Sequence, residues 1–151
     1  MGQARFKTLG AGTFFGDLVY QRAVPAEHFL RKLAALIDWS WFSERLLELY
    51  AGAGQVGRPP YDPVVLLKML LLAYLYNLSE RQTEVYCNDS LSAKCFLGLA
   101  ADEPAPDHST LTAFKRRIIE NGGEQALREG GRSGSDGGAA GGAVWQRSDC
   151  G

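Results

Sequence analysis

The chain is poor in the residues that usually carry chemistry or cross-links. Its 151 residues include three cysteines, two histidines and two methionines. Cys87, Cys95 and Cys150 are too few and too scattered for a disulfide framework. None lies in a CxxC pair, which removes the commonest zinc spacing. Small buried hydrophobes in a reducing cytosol are the ordinary reading of such cysteines. No charge of one sign dominates: the net charge is -1, so no global basic field points to nucleic acid, although binding needs only a local basic patch. Long apolar runs are also missing. The longest, Val64 to Leu75, is interrupted by Lys68 and is too short to span a bilayer. Met1 to Thr13 lacks the apolar core of a signal peptide, so the expectation is a soluble, cytoplasmic protein. No Gly-rich phosphate loop, nucleophile elbow or paired-carboxylate spacing occurs. Strand-like alternation never lasts more than a few residues.

What is present is helical. The pattern predicts an all-α, compact multi-helix bundle of about 120 residues, enough for one modest core. Residues 1–24 read as an arm with a short helix around Asp17 to Arg22, residues 25–121 as the helical domain, and residues 122–151 as a tail. Pro25 is placed to open a helix at its first turn, with Phe29, Leu30, Leu33, Leu36 and Ile37 following at helical spacing. Ser40 or Ser43 caps a second helix running to Tyr50, and residues 51–60 form a turn-rich linker. Asp62-Pro63 is a strong start signal for a helix that is apolar nearly all round, the expected buried centre. Ser79-Glu80-Arg81-Gln82 is a capping box. Ser90 or Ser92 begins a short helix that Gly98 stops, and Asp107 or Ser109 caps the last one, whose inward stripe is Leu111, Phe114 and Ile118. Asn121-Gly122 is its stop. From Gly130 the chain is a Gly/Ala/Ser string that cannot bury enough apolar surface to order, so a disordered tail is expected.

The helices Val64–Tyr76 and Ser79–Cys87 have the spacing of a helix-turn-helix. Either Leu91–Leu97 or Thr110–Ile119 would then be offered to a DNA groove. The second carries the densest basic cluster, Lys115-Arg116-Arg117, and at about 100° per residue Ser109, Thr112, Ala113 and Arg116 share one outward face. Short polar groups with arginines suit phosphate and base contacts, and Lys94 would extend the basic surface. The same three cations also suit the last turn of a helix with no partner at all, through the macrodipole. His108 beside Asp107, near Asp102 and Glu103, lacks a second histidine at ligand spacing, so no metal site is expected and the acid is read as a cap. His28 reads as helix packing, and Trp39, Trp41 and Phe42 as core.

Six blocks in order carry a resemblance. Pro25-Ala26-Glu27-His28-Phe29-Leu30-Arg31 is similar to the PEDHxLR opening of insertion-sequence transposases with an InsH-like N-terminal domain. Gly57 to Pro63 with Leu66-Leu67-Lys68-Met69 resembles their GRPxYDPxxLLKM block. Leu78 to Gln82, Phe96 to Leu99, Pro106 to Leu111 and Phe114 to Arg117 follow, the last with lysine where arginine is common. The resemblance covers roughly residues 8 to 121. It implies a domain that binds the element's terminal inverted repeats, self-associates or joins intact transposase, and precedes an RNase-H-like domain. There an Asp-Asp-Glu triad would hold divalent metals for phosphoryl transfer. Asp136 and Asp149 sit among glycines and serines without a strand pattern, so neither is given a catalytic role. The resemblance therefore implies no catalytic residue, metal or cofactor in this chain. The Gly, Ala, Arg and Ser composition of the tail is that of GC-rich codons read out of frame. A frameshift around residues 127–130 is thus expected in place of the catalytic domain, with a real Gly-rich linker as the rival. The alternative is a helical dimerisation or interaction module without DNA specificity of its own.

Overall fold

The computed structural model describes residues 14–48 and 61–120, and these form seven α-helices without a strand among them. The linker at 51–60, Tyr50, the Asn121-Gly122 stop, Cys150 and the Gly-rich tail lie outside the described residues. So do residues 1–13 of the arm, whose expected helix is present as α1, Phe14–Ala23.

Local chemistry sets most helix ends. α2, Phe29–Leu36, begins later than its proline suggests. Pro25 instead accepts from the His28 N–H at 2.9 Å in a turn, and the His28 imidazole caps the helix by accepting from Leu30 N at 3.2 Å. His28 is thus a cap rather than packing, and the apolar stripe is shorter than the spacing implied. Leu30 is buried with Leu33 and Ala34 against the core, while Phe29 and Leu36 stay exposed. α3, Trp39–Glu48, is started by neither expected serine: Asp38 accepts from both the N–H and the hydroxyl of Ser40. That carboxylate does the work of an N-cap.

α4, Pro63–Leu75, starts as expected, with the Asp62 carboxylate accepting from Val64 N at 2.9 Å and proline at the first position. It ends in a pair of bonds, Leu78 N to Ala73 O at 2.8 Å and Asn77 N to Tyr74 O at 3.3 Å. Asn77 takes the left-handed conformation (φ 52°) that this Schellman arrangement requires. The capping box of α5, Glu80–Asp89, is complete, with Ser79 and Gln82 bonding reciprocally. Ser90 caps α6, Leu91–Leu97, and Gly98 closes it at φ 77°. Asp107 caps α7, His108–Glu120, accepting from Thr110 N at 2.7 Å.

α4 packs against α3, α5, α6 and α7 and so is the centre of the bundle. Val65, Leu66, Met69 and Leu72 are its buried side, meeting Leu97, Leu99, Leu111, Phe114 and Ile118. Its one charge, Lys68, turns into the protein. The ammonium sits 4.7 Å from the Trp39 ring centre and 5.4 Å from that of Phe96, and desolvation lowers its pKa. The all-round apolar pattern overstates the burial, however. At the C-terminal end of α4, Tyr74 is 63% exposed, and Leu75 and Tyr76 are exposed beside it. No single helix among the described residues is long and apolar enough to cross a membrane.

Candidate nucleic-acid interface

α4 and α5 are separated by residues 76–79, and the chain turns by 105° between them. A helix-turn-helix pair typically crosses at about 90–120° over a short turn, so the geometry of this corner fits that motif. Of the two helices that could be offered to a groove, α6 is closed off. Ala93, Lys94, Phe96 and Leu97 are all buried, and its one cation is among them. Lys94, 7% exposed, donates its ammonium to Ala101 O at 2.9 Å and so ties down the loop that follows α6. This corrects its assignment to the basic surface: on a seven-residue helix, the position facing that loop is an inner one. Lys94→Met should leave any DNA affinity unchanged within about twofold, yet cost about 1–3 kcal/mol through the orphaned carbonyl. Urea denaturation read beside a binding titration separates the two effects.

α7 presents the surface that α6 does not. Leu111, Phe114 and Ile118 anchor its inner side as the spacing indicates, leaving Ser109, Thr112, Ala113, Lys115 and Arg116 exposed and Arg117 half-buried. The hydroxyls are less available than the cations. Ser109 donates to the Asp107 carboxylate at 2.7 Å and Thr112 to His108 O at 2.8 Å, so each has only acceptor capacity left for a ligand. Lys115 and Arg116 face carboxylates across exposed pairs, Glu80 at 3.2 Å and Glu120 at 3.8 Å. Such pairs are worth only about 0–1 kcal/mol.

A polar seam orients this helix. Glu80, Glu84 and Asn88 recur four apart along one stripe of α5, and each meets the chain that runs back past it. Glu80 bonds Lys115, Glu84 bonds His108, and the Asn88 side-chain oxygen accepts from Ala105 N at 3.0 Å. α5 and α7 therefore lie antiparallel. One Glu84 oxygen receives both the His108 N–H at 2.9 Å and its Nδ1 at 2.6 Å. His108 is thus a clamp between helices, and among the described residues no group of His, Cys, Asp and Glu is arranged to hold a metal.

These contacts depress several carboxyl pKa values. The backbone and ring of His108 do so for Glu84, its own backbone and then Lys115 for Glu80, and Ser109 and Thr110 for Asp107. A depressed native pKa means stability that is present above the unfolded value and lost as pH falls through the folded one. The thermal midpoint by circular dichroism should therefore drop once pH passes below the ordinary glutamate value of 4.5, with Glu84→Gln losing less than the parent. A midpoint unchanged down to pH of about 3 would contradict this.

Two participants were not singled out from the sequence. Glu84 is 24 residues from His108, and nothing local signals their pairing. Arg81, exposed on α5, reads as part of a capping box; it is the neighbour of Glu80, whose bond to Lys115 puts the first turn of α5 against α7.

A family model described as a transposase domain (DUF772) matches residues 18–117. The chain belongs to this transposase domain family. The match runs from within α1 to within α7 and contains the α4–α5 corner, the polar seam and all three cations of α7. No solved structure matches the chain.

Proposed function

We propose that this transposase domain is the DNA-binding portion of an insertion-sequence transposase of the InsH-like kind. In this reading it holds the terminal inverted repeats of the element, in the cytoplasm, through the outer face of α7. The observation that carries it is the exposed Lys115–Arg116 face, with Arg117 at its edge, on a helix anchored from behind within a transposase domain. Cations so placed track the DNA backbone, and their binding releases counterions. The domain acts by gripping and orienting DNA. It supplies no catalytic acid, metal or cofactor, and strand transfer by an Asp-Asp-Glu site is work for a different domain. The test is a salt titration of duplex binding: log K should fall linearly with log salt, and a salt-independent or absent complex would sink the reading.

A second reading is favoured by one observation, the exposed Tyr74, Leu75 and Tyr76 at the end of α4. An uncharged aromatic surface suits association with another copy or with intact transposase better than phosphate contact. Light scattering that showed a tight dimer indifferent to DNA would support it over the first.

A further inference from the structure

The polar seam places two opposite charges side by side at the margin of the α7 surface. Glu80 and Arg81 are the first two residues of α5. Thr83 and Cys87 point into the core, so Glu80 looks along the seam to Lys115, and Arg81, two residues before Thr83 and about 200° from it, faces outward. Lys115 is 54% exposed and its Glu80 partner, 3.2 Å away, 35%, so a phosphate that reaches the ammonium meets that carboxylate beside it. We propose that the first turn of α5 is a second wall of the interface, in which Arg81 adds a phosphate contact while Glu80 competes with DNA for Lys115. Glu80 thereby holds down affinity for duplex of arbitrary sequence. The inference rests on the reading of α7 as the DNA-facing helix.

The physical case is a difference of charges. A fixed carboxylate beside a cation cancels much of its field at the distance of a backbone phosphate, and a phosphate that captures Lys115 must leave Glu80 unpaired next to another anion. Arg81 has no such penalty: it is exposed and its fork can take a phosphate bidentately. The reciprocal cap of α5 is made by Ser79 and Gln82, and Glu80→Gln keeps a side-chain oxygen for the Glu80 backbone N–H that the carboxylate accepts from.

Neighbouring substitutions should therefore act in opposite directions. With the full chain and a short fluorescein-labelled duplex of mixed sequence, anisotropy titrations at several salt concentrations should show Glu80→Gln binding about threefold to tenfold more tightly, with a salt slope steeper by up to about 0.9. Arg81→Gln should weaken binding by a similar factor and flatten the slope. Most of the Glu80→Gln gain should vanish in combination with Lys115→Gln, while Glu80→Asp, which keeps the charge in the first turn, should stay near the parent. Equal or weaker binding by Glu80→Gln, or an unaltered Arg81→Gln, overturns the inference. Neutralising Lys115, Arg116 and Arg117 together separates this failure from that of the function itself. If the triple variant binds as the parent does, the α7 reading has failed; if it loses binding while Glu80 and Arg81 variants do not move, only the second wall has.

Discussion

Replacing Lys115, Arg116 and Arg117 together by glutamine is expected to weaken duplex binding about a hundredfold at moderate salt and to reduce the salt slope by about 2 to 3. The reasoning is additive at first order: each phosphate contact contributes a slope of about 0.9, and three cations lie in consecutive positions near the end of one exposed helix. The fold should survive. Lys115 and Arg116 form only exposed pairs, and Leu111, Phe114 and Ile118, which seat the helix, are untouched. Arg117 is the least exposed of the three, so its single variant should also show whatever packing its stem supplies. Anisotropy with circular dichroism of the same samples checks both halves of the statement. A triple variant that is folded and binds normally would remove α7 from the interface.

The second large effect is on stability. Phe114→Ala should cost about 3–5 kcal/mol, because the ring is 2% exposed and the cavity opens where α7 meets α4 and α5. For a small domain with a total of about 5–15 kcal/mol, that is enough to populate unfolded chain near physiological temperature. Phe114→Leu should lose much less, since it keeps most of the buried volume. Urea unfolding measures the difference. The pair also links packing to function: with Phe114→Leu the cations stay in place and binding should persist, whereas Phe114→Ala should lose binding in step with its folded fraction. A folded Phe114→Ala that binds normally would mean that α7 does not need this anchor.

The residues that sequence reading handles well are those whose partners are near in the chain. Asp62-Pro63 and the Ser79–Gln82 box act over three residues, and the structure shows both bonds. Even here competition matters: Asp38 outbids Ser40 and Ser43, and the His28 imbalance between cap and packing is decided by a turn that Pro25 starts. The stripe of α7 is legible because 13 residues repeat its period, while α6, with seven, is too short to show which side is inner. Lys94 and Arg116 look equivalent in the chain, yet one is buried on a carbonyl and the other exposed. The Glu84–His108 clamp and the Glu80–Lys115 pair arise from antiparallel packing of α5 and α7, which no local pattern encodes.

The most direct test of the account is to map the contact residue by residue. Backbone amide NMR shifts of the full chain, titrated with a short DNA duplex, should move along the outer face of α7 from Ser109 through Arg116 and at Arg81 in the first turn of α5, leaving Lys94 and Tyr74 still. Shifts confined to Tyr74–Tyr76, or none at saturating duplex, would contradict a DNA-holding role for α7.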